Sequence, residues 1–140
     1  LMAQGLPADR VLPVNRGGTL ALPDLGLAVT QTVAHHSGGI DENGQVSCGG
    51  EPAGYVVTLG DGFALYHAGD TAVFSDMRLI ADLYAPRLAM LPIGDRFTMG
   101  PREAALAMEL LHSAEAVLPL HWGTFPLLTG TPDQLAAEMA

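Results

Sequence analysis

Apolar residues recur along this chain with two different periods, and the change from one to the other falls near residue 71. Across residues 27–34 the apolar Leu27, Val29 and Val33 alternate with Ala28, Thr30 and Thr32, and only Gln31 is out of place. This period of two predicts a half-buried strand that ends at His35-His36. Residues 11–14 and Thr19–Leu22 are shorter strand candidates on either side of the Gly17-Gly18 turn signal. Residues 55–59 and 63–66 are β-rich runs joined by Gly60-Asp61-Gly62, and an Asp-Gly step between such runs predicts a hairpin. Residues 37–52 are rich in Gly, Asp, Glu and Asn and carry no usable period, so they read as one long loop of the kind that is more often functional than idle.

Beyond Thr71 the period becomes helical. Met77, Ile80, Ala81 and Tyr84 share one helix face that Pro86 stops, and Ala104, Ala107, Met108 and Leu111 repeat the stripe after Pro101 at a first helical position. Short apolar runs at residues 88–91 and Ala116–Leu120 predict buried strands. Thr131-Pro132-Asp133-Gln134 is a capping box that opens a third helix. Strands followed by strand-helix-strand-helix-strand-helix predict an α/β or α+β layer: a sheet with helices on one face, in a single domain.

Composition narrows the function. The chain has 140 residues, no lysine, six arginines and a net charge of −9, which excludes a binder of nucleic-acid backbone. Hydrophobic residues make up 49%, enough for a real core, yet every apolar stretch is broken well before the roughly 18 residues a spanning helix needs, so no membrane span is expected. The lone Cys48 cannot close an internal disulfide and no secretory leader is recognisable at the start, which points to a reducing, cytoplasmic home. The chain opens on Leu1 and stops inside a helical pattern, so both ends look cut.

Three polar residues share one placement. His36, Asp70 and His121 each lie just past the C-terminal end of a predicted strand, where sites in sheet proteins gather. Imidazole and carboxylate are ligands for Zn, Mn, Fe or Ni, so a convergent His/Asp/His set suggests a metal site. Plainer readings stand beside it. His121-Trp122 reads equally as a packed aromatic pair under the last helix, Gly69-Asp70-Thr71 as a helix cap, and His35-His36 as an exposed turn in which one imidazole at most faces a given metal. His67 shares a strand face with Leu65 and is a supporting or structural residue, and His112 suits the end of the second helix.

The segments Thr32-Val33-Ala34-His35-His36-Ser37, Leu65-Tyr66-His67-Ala68-Gly69-Asp70-Thr71, Leu91-Pro92-Ile93-Gly94 with Phe97-Thr98-Met99-Gly100-Pro101, and Pro119-Leu120-His121-Trp122-Gly123-Thr124-Phe125-Pro126 resemble four successive motifs of the metallo-β-lactamase superfamily. The branch they resemble holds metal-dependent hydrolases similar to ascorbate-6-phosphate lactonase. The resemblance runs from about Arg10 to Gln134. It implies an αββα sandwich with two divalent metals, zinc before manganese, iron or nickel, at one edge of the sheets. By position, His36 resembles a ligand of one metal, Asp70 the carboxylate bridging both, and His121 a ligand of the second. His35, His67 and Thr71 would support those ligands.

The superfamily's H-x-H-x-D-H signature is absent from residues 1–140, so the chain is expected to be the C-terminal part of a single such domain, lacking the first β layer and its ligands. The resemblance implies hydrolysis of a small anionic ester, lactone or phosphodiester by a metal-activated hydroxide that Asp70 orients, with little activity from these 140 residues alone. The rival from another class is a non-catalytic binding or assembly module that retains half the fold. Either way, a half-sandwich exposes an apolar sheet face and is expected to self-associate. No residue pattern names the substrate-binding groups.

Overall fold

The computed structural model describes residues 5–140; the opening Leu1 lies outside them. A six-stranded sheet is built from β1 (Thr19–Leu22), β2 (Leu27–Val33), β5 (Ala53–Leu59), β6 (Ala64–His67), β7 (Leu88–Pro92) and β8 (Ala116–Leu120), side by side in that order. A separate hairpin is formed by β3 (Gly39–Glu42) and β4 (Gln45–Cys48). Helix α1 (Met77–Tyr84) connects β6 to β7, α2 (Pro101–Leu110) connects β7 to β8, and α3 (Pro132–Glu138) packs on α2. Mixed α/β layering is as the two periods require.

Strand direction decides where the loops emerge. β1, β2, β5 and β6 pair antiparallel in succession, whereas β6, β7 and β8 pair parallel through the two helical crossovers. β2, β6, β7 and β8 therefore all run the same way, and the chain leaves each of them at one edge of the sheet.

The core lies on the helical side. Val56, Tyr66, Ala89 and Leu91 on the sheet meet Met77 and Ile80 of α1, Ala104 and Ala107 of α2, and Leu135 of α3. Thr131 caps α3 with a reciprocal Gln134 box, as its sequence predicts. His112 bonds Asp82 at 2.8 Å and ties the end of α2 to α1, so its role is structural. Register places Val29, Val57, Leu65 and Leu88 in one row of the opposite face, and Gln31, Tyr55, His67, Met90 and Leu118 in the next. None of the helices packs there: Tyr55 is 39% exposed and Leu118 45%.

Three sequence expectations need correction. Ala116–Leu120 does form a strand, β8, but not a buried one: it is the last strand of the sheet and none of its residues is buried. Residues 11–14 form no strand, because Pro13 has no N–H to give a ladder. Residues 37–52 are not one irregular loop but carry the β3–β4 hairpin, turned by Asn43 and Gly44 at φ of 57° and 83°. Asn-Gly with both φ positive is the tight turn that matches strand twist. Every residue of the hairpin is exposed, so it has no buried face to print a period on the sequence.

Burial also leaves one buried group exposed to test. The Tyr66 hydroxyl is enclosed with no partner at hydrogen-bond geometry, and burial pushes its phenol well above the usual range, the nearby Thr32 side chain opposing the shift only weakly. Removing a buried polar group that has no partner removes its desolvation cost. Tyr66→Phe is expected to hold or raise the stability by up to about 1 kcal/mol, read as a urea midpoint; a clear drop would mean that the hydroxyl has a partner in solution.

Candidate metal centre

The edge where β2, β6, β7 and β8 end collects the residues singled out by sequence. His35 and His36 follow β2, Asp70 follows β6, Gly94 to Phe97 follow β7, and His121 follows β8. Asp70 is central in this row. With neighbouring strands about 4.8 Å apart, β2 lies about 10 Å to one side of β6 and β8 about 10 Å to the other.

The β6 and β8 ends lean together. Asp70 Oδ2 stands 3.7 Å from His121 Nε2, with the side chains 51% and 29% exposed. That is too long for a hydrogen bond, and near the spacing of about 3.4 Å between two donors of one tetrahedral ion with bonds of about 2.1 Å. In kind, this carboxylate and imidazole fit a divalent metal. In number they supply only part of a shell, and among the described residues no group of three or more His, Cys, Asp and Glu is gathered tightly enough to hold an ion. His36 stands apart on the β2 side. Its Nδ1 donates to the Ser37 carbonyl at 2.9 Å, an orientation that turns Nε2 away from that contact and, in a neutral ring, leaves it the nitrogen with the lone pair.

The supporting residues take unequal parts. Thr71 is fully buried: its Oγ1 accepts the His35 N–H at 2.9 Å and donates to the Ala72 carbonyl at 2.8 Å. The Ala72 N–H donates back to the His35 carbonyl, and the Met99 N–H donates to that of Thr71, each at 3.0 Å. Loops from β2, β6 and β7 are thus stitched at Thr71, through its hydroxyl and its backbone carbonyl. His67 Nδ1 accepts the Gly69 N–H at 3.1 Å and shapes the turn before Asp70. The His35 ring stacks on Phe74 at 4.8 Å, so its side chain packs.

The plainer readings of Asp70 and His121 do not hold. The N-cap position of helix α1 is Asp76, six residues beyond Asp70, so Asp70 does not cap it. Trp122 is 42% exposed and its indole N–H donates to the Pro119 carbonyl at 3.2 Å, so it is not packed under the last helix.

Strain is concentrated at the same edge. Of the five described non-glycine residues with positive φ, three are Asp95 (64°), Arg96 (59°) and His121 (52°). Each such residue costs on the order of 1–3 kcal/mol, and such costs persist chiefly at functional sites. A side chain on Gly94 would collide with the His121 carbonyl oxygen, so only glycine lets the β7 loop seat this imidazole. Its Nδ1 is buried without a partner. Sequence patterns did not reveal Asp95 and Arg96, because neither is the glycine that normally marks a left-handed turn.

Comparison with known proteins agrees with the geometry. The profile of the Beta-lactamase superfamily domain matches residues 2–122. Proteins described as metal-dependent hydrolases are 50% identical over 135 residues in Chloroflexus aurantiacus and 51% identical over 135 residues in Rubrobacter xylanophilus. In both pairs, 96% of this chain and 54% of the relative are covered, so the chain spans about half the length of the curated relatives it matches. A solved metallo hydrolase from the archaeon Ignicoccus hospitalis superposes with a TM-score of 0.77 at 37% identity, covering 91% of this chain and 52% of that one.

The Thr71 stitch predicts a measurable cost. Thr71→Val leaves the His35 N–H and its surroundings unsatisfied and is expected to lose about 1–3 kcal/mol, whereas Thr71→Ser keeps the hydroxyl and loses less. Equal denaturation midpoints for Val and wild type would show that water replaces the bond.

Proposed function

Because the chain belongs to the Beta-lactamase superfamily domain family, we propose that it carries half of the metal site of a hydrolase acting on a small anionic ester, lactone or phosphodiester. The observation that supports this best is Asp70 Oδ2 facing His121 Nε2 at 3.7 Å beside a strained backbone. Asp70, His121 and His36 are the proposed ligands for two divalent ions, zinc first, with Asp70 between them. Such ions, when bound, lower the pKa of water towards 7 and draw charge from the scissile oxygen.

The chain's own residues do the positioning. Asp70, an acceptor when ionised, takes the hydrogen bond of the attacking water and holds it in line with the scissile bond. Thr71 fixes the loop that carries Asp70, and His67 sets the turn before it. Gly94 admits His121 to the edge, and the Ser37 carbonyl orients the His36 ring through Nδ1. A fourfold shell needs more donors than these, and the H-x-H-x-D-H signature that supplies them in the superfamily is not within residues 1–140. In this reading those donors come from outside the chain, the domain is partial, and the home is reducing and cytoplasmic. Among the described residues no helix is long and apolar enough to cross a membrane.

Metal analysis tests the site. The 140 residues alone are expected to hold little zinc and to leave bis(4-nitrophenyl) phosphate uncleaved. An upstream-extended gene product that includes the signature is expected to hold two ions, and His121→Ala to lose at least one. Two tightly held metals with turnover in the short chain would refute the shared-site reading. Unchanged metal content in His121→Ala, with only a loss of packing, would favour the non-catalytic module.

The same reading accounts for the bare sheet face. Without a second layer its apolar rows are available to another copy, so the chain is expected to elute above its 14.6 kDa mass on sizing. Leu118→Lys, on that face, should shift elution towards the monomer.

A further inference from the structure

Between the β2 and β7 loops lies a cleft of about 350 Å³, walled by His35, His36, Arg96 and Phe97 among others. None of its lining residues is acidic, although the chain as a whole carries a net charge of −9. Arg96 is exposed and, among the described residues, makes no salt bridge; its guanidinium rests 5.7 Å from the Phe97 ring centroid. The adjacent Asp95 does not neutralise it. The Asp95 carboxylate accepts the Arg96 backbone N–H at 2.6 Å and lines a separate depression with Gly100, Arg102 and Glu103. The larger cleft on the other side of His35 and His36 has a cation too, but there Arg16 is paired with Glu51.

Beside the cation is an apolar platform. Phe97 and Phe125 lie 6.1 Å apart at 45°, and they are 47% and 44% exposed. Their exposed faces offer a surface on which a flat apolar group can stack. The turn holding Arg96 and Phe97 is anchored at both ends: Gly94 abuts His121, and the Met99 N–H donates to the Thr71 carbonyl. Two consecutive left-handed residues, Asp95 and Arg96, thus hold a charge and a ring at a set distance from Asp70.

We propose that Arg96 and Phe97 form the substrate-recognition clamp of this edge, taking an oxyanion, phosphate or carboxylate, that is attached to a flat apolar group. Arg96 supplies the planar fork that matches such an oxyanion, and Phe97 with Phe125 the stacking surface. The clamp deepens the hydrolase reading, and as the sole free cation of the cleft it offsets the repulsion that a −9 chain exerts on an anionic substrate.

Calorimetric titration in excess chelator tests the clamp separately from the metal site, using phenyl phosphate, benzoate, phenol and inorganic phosphate as probes. The wild-type chain is expected to bind phenyl phosphate or benzoate, with the tighter of the two naming the oxyanion, and to bind phenol about tenfold more weakly. Arg96→Gln should lose about tenfold for the charged aromatic probes and nothing for phenol, while Arg96→Lys retains part. Phe97→Ala should weaken the aromatic probes and spare inorganic phosphate. Among the described residues Arg96 makes no ion pair, so Arg96→Gln should unfold at the wild-type temperature. No binding by wild type, equal affinity for phenol and phenyl phosphate, or unchanged anion affinity in Arg96→Gln each overturns the clamp. Those results leave the metal analysis of His121→Ala standing, so the two readings fail separately.

Discussion

Thr71 is the residue through which the candidate site is held together. It is buried, accepts the N–H of His35 and donates to Ala72, while the Thr71 carbonyl takes the N–H of Met99. Three loops that leave different strands meet at two consecutive residues. Strand direction only brings the loops to one edge; hydrogen bonds shielded from water are what fix their relative positions. Asp70, immediately before Thr71, inherits that fixed position although its own side chain is half exposed. The cleft of Arg96 inherits it as well, since Met99 closes the turn on which Arg96 and Phe97 stand.

How much of this is visible in sequence follows from which residues meet the core. β2, β5, β6 and the helices each have one face against a common interior, so their periods are printed in the chain. Ile80 and Ala81 lie in the core where the helical stripe puts them, and Tyr66 and Val56 pair across the predicted hairpin. The β3–β4 hairpin meets no core and leaves only its Asn43-Gly44 turn as a signal. At the site, strand ends locate His36, Asp70 and His121, because a polar residue after a buried run is conspicuous. The left-handed turn at Asp95 and Arg96 is not legible, since it is imposed by tertiary anchoring at Gly94 and Met99 rather than by local preference.

The apolar surplus of the composition has an address in the fold. The helical side of the sheet is closed by α1, α2 and α3, whereas Val57, Leu65, Met90 and Leu118 line the other side uncovered by any of them. A sheet apolar on both faces belongs to a layered structure with something on each side. Tyr55, Leu59 and Leu118 are exposed on the uncovered side, and among the described residues no helix is long and apolar enough to cross a membrane. In the proposed reading, the bare face and the partial ligand set have one origin, because the edge that carries Asp70 and His121 borders the face that no helix covers.

Strain at this edge has a physical rationale in that arrangement. His121 adopts a left-handed backbone that lifts its imidazole over Gly94 towards Asp70, and Asp95 and Arg96 do the same for the opposite turn. Each distortion costs on the order of 1–3 kcal/mol, a large share of a small domain's stability. The parallel β6–β7–β8 core beneath, with Ala89, Leu91 and Ile93 fully buried, can sustain it because the strands cannot shift to relieve the turns without opening the best-packed part of the molecule. The packing that resists relaxation of those turns also keeps Asp70, His121, Arg96 and Phe97 ordered, and a preordered site lowers the ordering cost of binding.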